Sequence, residues 1–146
     1  NKRPLTPIEC ILTLFIGILS IYINYAADEQ KVRVRKSKGE CMIFGKSPNV
    51  IKAKYINKNG KEKESLLLYS GYWGISRHFH YIPEWLFALM ICVPTYYVDP
   101  IQYFYFIYLL ILLFDRAKRD DDRCSKKYGN YWQKYCFFVK YKIIPF

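Results

Sequence analysis

LLLYSGYWGISRHFHY, residues 66–81, runs without a break into IPEWLFALMICVPTYYVDPIQYFYFIYLLILLF, residues 82–114. The first half crowds Gly71, Trp73, Gly74, Arg77, His78 and His80 together, a composition that suits neither a plain membrane span nor a solvated loop. Polar groups at the mouth of an apolar bundle cost free energy unless they are paired or bind something, so this stretch is the first candidate for a functional site. The second half decides the fold class. Pro83 suits the start of a helix, and the Asp99-Pro100 step makes a turn because the residue before a proline avoids helical backbone. Two apolar segments of about 15 residues follow, 83–98 and 100–114, each shorter than the ~20 residues of an untilted span. They read as a helical hairpin with its tip at the far leaflet.

Upstream, residues 8–26 (IECILTLFIGILSIYINYA) match the length of one helix across a ~30 Å hydrocarbon layer. Pro7 fits the first turn, Glu9 fits the interface, and Tyr22, Asn24 and Tyr25 make a polar-aromatic end. The spacing predicts that this helix continues past the membrane, with Lys31 and Arg35 four residues apart on one face. Two cations so placed either grip a phosphate or form a juxtamembrane charge cluster. Residues 41–68 change to short alternating runs, and Asn59-Gly60 between two strand-like arms predicts a small β-hairpin or ordered loop. The last helix should run on beyond residue 114, with no proline before Gly129 to stop it. Along it Arg116, Asp120, Arg123 and Lys127 recur at helical spacing, with Arg116 and Asp120 as an i, i+4 pair. The tail carries Tyr131, Trp132 and Tyr135 among lysines and should fold back onto the bundle at the interface.

The fold class expected is therefore all-α integral membrane, the C-terminal spans of a polytopic bundle with a small hairpin in the cytosolic loop 28–68 and a cytosolic tail 115–146. A chain with 52% hydrophobic residues, 19% aromatics and a net charge of +11 fits this, because the charge lies in the segments flanking the spans. Such basic excess marks the cytoplasmic face of a membrane protein rather than a nucleic-acid partner. The five cysteines lack CxxC spacing, and His78-x-His80 has no third ligand at a telling distance, so no metal is expected. There is no GxGxxG or Walker pattern and no nucleophile elbow. What remains is a cationic and aromatic set: Lys31, Arg35, Arg77, Arg116, Arg119 and Arg123 for phosphates, with Trp73 and nearby tyrosines for stacking on flat rings.

YSGYWGISRHFHYIPE together with LLFDRAKRDDDRCSKKYGNYWQKYC resembles the C-terminal signature of the membrane sterol reductases, the family of the C14, C24(28) and Δ7 enzymes. The likeness runs from about residue 22 to the end, and RHFHYIPE and FDRAKRDDDRC are most similar to the Δ7 branch, the 7-dehydrocholesterol reductases of plant type. Many relatives have asparagine where this chain has His80. The resemblance implies the C-terminal part of a multi-pass endoplasmic reticulum enzyme with a sterol substrate and lipid surroundings. It implies NADPH as cofactor, entering from the cytosol, and reduction of the C7–C8 double bond of a Δ5,7-sterol by proton and hydride. It further implies cofactor contacts at Lys31, Arg35, Leu67, Trp73, His80, Arg116, Asp120 and Tyr135, with Asp120 also the candidate catalytic acid and a tyrosine from the N-terminal part of the enzyme its rival. Rival readings are another sterol reductase (C14 or C24(28)), a membrane methyltransferase of the isoprenylcysteine type, whose paired glutamate motif is replaced here by RDDDRC, and a non-enzymatic sterol-binding protein.

Overall fold

The computed structural model describes residues 4–95 and 100–146 and is mostly helical, with one two-stranded sheet. Helix α1 covers Pro7–Lys36; strands β1 (Val50–Ile56) and β2 (Glu62–Leu68) follow; a single turn α2 (Tyr72–Ile75) leads to α3 (Tyr81–Cys92), α4 (Tyr103–Tyr128) and α5 (Asn130–Phe138). Short 3-10 turns follow α3 (Val93–Thr95) and precede α4 (Pro100–Gln102), and Asp99 of the expected Asp99-Pro100 turn lies outside the described residues.

Local chemistry accounts for the helix ends. Thr6 accepts the Glu9 backbone N–H at 3.3 Å while the Glu9 carboxylate accepts the Thr6 N–H at 2.7 Å, a reciprocal cap that gives Glu9 a structural task. Pro7 occupies the first turn, where its missing N–H costs nothing. As the spacing predicts, α1 extends past its apolar part to Lys36, and α4 runs unbroken to Tyr128 before Gly129 (φ 54) ends it. The α1 helix and the segment Pro100–Tyr128 are long and apolar enough to cross a membrane, and their apolar side chains, such as Phe15 and Phe104, are largely exposed. Helix α3, with 12 residues, is shorter and packs against both α1 and α4.

The hairpin forms where the sequence predicts one, but Val50 lies opposite Leu68 and Ile56 opposite Glu62, so the chain reverses over residues 58–60 rather than in a two-residue Asn59-Gly60 turn. Its loop closes with the Asn57 N–H donating to Lys61 O at 2.8 Å and the Gly60 N–H to Asn57 O at 2.9 Å. Gly60, at φ 73, supplies the left-handed residue that such a loop needs. Alternation puts Ile51, Ala53 and Leu67 inward, where they pack with Tyr128, Trp132, Tyr135 and Val139 from the chain end. Two further clusters, Tyr81, Trp85, Leu113, Ala117 with Ile143, and Val34, Ile43, Leu68 with Trp73, complete the core.

One backbone position is decided by close approach. Gly71 has φ 63, and a Cβ there would lie 2.5 Å from Gln30 Oε1, the atom that accepts the Tyr72 N–H at 3.1 Å. Gly71→Ala adds left-handed strain and displaces Gln30, so it is expected to destabilise the fold by about 2 kcal/mol or more. Thermal denaturation of the detergent-solubilised protein reads this directly, and an unchanged midpoint would contradict the assignment.

Candidate functional site

A cavity of about 670 Å³ opens where the three clusters meet, within the range of roughly 300–1,000 Å³ usual for small-molecule sites. Helix α1 contributes Lys31 and Arg35 one turn apart; β2 contributes Leu67 and Leu68; the central stretch contributes Trp73 and His80. Arg116, Asp120 and Cys124 come from one stripe of α4, and Trp132 and Tyr135 come from one face of α5. All eight residues singled out from the sequence, Lys31, Arg35, Leu67, Trp73, His80, Arg116, Asp120 and Tyr135, therefore line one space. Segments more than 100 positions apart in the chain meet there, from Lys31 to Tyr135.

The charges on the wall are not equivalent. Arg119 is paired with Asp115 at 2.9 Å, and Asp120 is paired with Arg123. The expected Arg116–Asp120 pair is thus corrected: the carboxylate turns toward the cation three residues on. Arg77, expected to hold a phosphate, donates instead to Val139 O at 2.9 Å and to Lys140 O at 3.3 Å, and meets Asp121 at 3.4 Å. Among the described residues this leaves Lys31, Arg35 and Arg116 on the wall without an ion-pair partner. Three cations without an ion-pair partner converging on one cavity suit a polyanionic ligand.

Trp73 departs from the stacking role expected of it. Only 2% of its surface is exposed, its indole N–H donates to Ala27 O at 2.8 Å, and the Lys31 ammonium covers its ring at 4.2 Å. The ring holds Lys31 in place by a cation–π contact. Burial, with the neighbouring Arg35 adding to it, lowers the Lys31 pKa, while Asp120 and Asp28 oppose the shift. His80 lies against Tyr81 at 4.2 Å and Trp73 at 5.2 Å. Burial, then the charges of Lys31, His78 and Arg116, pull its pKa down to about 4, so its imidazole is neutral at neutral pH. Burial pushes the Cys124 thiol up to about 11 and raises the Tyr135 phenol well above its usual range. Both stay protonated.

Residues beyond the sequence-derived set also line the cavity, among them Tyr81, Glu84, Cys124, Tyr128 and Trp132. The signal for most of them is the helical spacing of residues already named: Cys124 and Tyr128 continue the stripe of Asp120, and Trp132 precedes Tyr135 by three.

Over residues 6–146 the chain matches the Ergosterol biosynthesis ERG4/ERG24 family. The chain belongs to this family. Across 135 residues, 92% of the chain, it is 53% identical to a 7-dehydrocholesterol reductase of Arabidopsis thaliana, and across 145 residues, 99% of the chain, 37% identical to one of Xenopus laevis. A Delta(14)-sterol reductase of Arabidopsis thaliana is 35% identical over 146 residues, the whole chain. The matched regions cover 31%, 31% and 36% of those relatives, so the family member in hand spans about a third of their length.

The His80 environment predicts a pH dependence with a definite sign. Unfolded, the imidazole gains its proton near pH 6.5; folded, only near 4, so the unfolded chain binds more protons between these values and stability falls as pH drops through that window. His80→Asn is expected to flatten this part of the profile. Chemical denaturation at a series of pH values, wild type against variant, checks it; parallel profiles would contradict the burial of a neutral imidazole.

Proposed function

We propose that this chain is the C-terminal part of a multi-pass endoplasmic reticulum sterol reductase. In this reading it forms the NADPH-holding end of an enzyme that reduces the C7–C8 double bond of a Δ5,7-sterol. The observation that carries the reading is the convergence of Lys31, Arg35 and Arg116, all without an ion-pair partner among the described residues, on one cavity at the end of two apolar helices. A doubly anchored dinucleotide carries a pyrophosphate and a 2′-phosphate, and arginine answers these bidentately while lysine answers them as a point charge. The apolar wall of Leu67, Leu68, Tyr128 and Trp132 suits flat rings. Names of the relatives support the sterol class, and their 7-dehydrocholesterol members support the Δ7 position.

Alkene reduction needs a proton on one carbon and a hydride on the other. NADPH, when bound, supplies the hydride. The protein's tasks are to hold the phosphates, to exclude water and to present a proton. Lys31, held over Trp73, and Arg35 one turn later offer two cations from a single helix face; Arg116 faces them from α4. Neutral His80 offers a hydrogen bond without adding charge. Asp120, the sequence-derived candidate for the acid, is engaged by Arg123 on the cavity wall, which suits a residue that fixes a neighbouring cation. We therefore assign it to cofactor binding.

Two variants of the complete reading frame test this reading. Arg116→Ala and Asp120→Asn are each expected to weaken NADPH binding by about ten-fold or more, as loss of a charge-assisted contact does. Fluorescence titration gives the affinity, and sterol profiles from cells fed Δ7 and Δ14 substrates separate the two reductase classes. Unchanged affinity in Asp120→Asn with lost turnover would return Asp120 to the role of acid. No NADPH binding by the wild type would instead favour a non-enzymatic sterol-binding protein.

A further inference from the structure

Asp121, Arg77 and His78 form a cluster of buried or nearly buried charge and polarity that the proposed chemistry does not use. Asp121 follows Asp120 but lies roughly 100° further round the helix, and it is absent from the cavity wall. Its carboxylate meets Lys142 Nζ at 2.8 Å, Arg77 at 3.4 Å and His78 Nε2 at 3.9 Å. Burial alone would raise its pKa, but His78, Lys142 and Arg77 outweigh that and hold it down to about 2.

The same residues stitch the chain end to the central stretch. The backbone N–H groups of Arg77 and His78 donate to Tyr141 O at 3.0 Å and Lys142 O at 2.9 Å, and the Arg77 guanidinium reaches Val139 O and Lys140 O. Ile143, 2% exposed, then enters the cluster of Tyr81, Trp85, Leu113 and Ala117. On the other side of this seam His78 stacks on Tyr81 with the rings 5.2 Å apart and 6° from parallel, and Tyr81 lies against His80. From the seam one ring contact therefore leads to Tyr81 and a second to His80, both on the cavity wall.

We propose that Asp121 is a positioning residue: its carboxylate docks the strap, residues 139–143, against Arg77 and His78, and the docked strap sets where His80 and Tyr81 stand toward a bound dinucleotide. The inference rests on the reading of the cavity as a dinucleotide site. Two backbone hydrogen bonds to an irregular segment hold it only weakly against local opening. Asp121 ties it by placing one negative charge among the positive charges of Arg77 and Lys142. Removing it leaves those cations facing each other in a half-buried place, which drives the strap off. The hairpin cluster and the α1 contacts do not include Asp121, so the fold around the strap is expected to persist.

The test uses the complete reading frame, purified in detergent, as wild type, Asp121→Asn, Lys142→Gln and the double variant. Hydrogen exchange of the peptide carrying the Arg77 and His78 amides reads the strap, and NADPH titration reads the site. In Asp121→Asn, exchange is expected to quicken by about ten-fold and NADPH affinity to fall by about ten-fold, with Lys142→Gln changing both less, and the double variant close to Asp121→Asn because the two share one contact. Unchanged exchange in Asp121→Asn overturns the docking role, and quicker exchange with unchanged affinity overturns the positioning role. If Asp121→Asn does not accumulate, Lys142→Gln, altered at a half-exposed lysine, decides by the same two readouts. A wild type that binds no NADPH overturns the dinucleotide reading; a wild type that binds it while the variants match it overturns this inference alone.

Discussion

The indole N–H of Trp73, bonded to the Ala27 carbonyl, fastens the central stretch to α1. A buried indole cannot leave its donor unpaired without loss, and Ala27, fully buried itself, leaves the backbone open to so close an approach. Once this contact is made, Lys31 lies one turn further along α1 and comes to rest on the ring, and Gln30 reaches the Tyr72 N–H across a position where only glycine fits. The cavity wall from α1 follows from these contacts. Without them the cations of α1 would be an ordinary charge cluster at the end of a span.

A second constraint is how the positive charge is distributed. Of the six cations on the cavity wall, Arg77, Arg119 and Arg123 are engaged by carboxylates or by the chain end, while Lys31, Arg35 and Arg116 have no ion-pair partner among the described residues. The engaged ones hold structure; the others leave an unbalanced field in a partly enclosed space, where Coulomb interactions are weakened less than in open water. Pairing with a few nearby carboxylates thus sorts similar side chains into different tasks.

Helices α1 and α4 do two jobs in succession. Their apolar portions are long enough to cross a membrane and leave much of their surface uncovered. Their polar portions continue without a break in the backbone and carry Lys31, Arg35, Arg116 and Asp120. A helix is stiff, so continuing it past the apolar segment sets the cavity residues at a fixed rise from that segment, 1.5 Å per residue.

Composition and periodicity were enough to find α1, α3 and α4, the hairpin, the cap at Gly129 and the residues that share the α4 stripe, because each depends on neighbours a few positions away, whereas the short helices α2 and α5 gave no such signal. The family motifs added the names of residues scattered over the chain. Partnership was another matter. That Arg77 serves the chain end, that Asp120 turns to Arg123, that Trp73 supports Lys31 and that Asp121 gathers Arg77, His78 and Lys142 are choices among several cations and carboxylates of equal local standing. Such choices are made by burial and by distances between segments far apart in the chain, and only the folded molecule contains those.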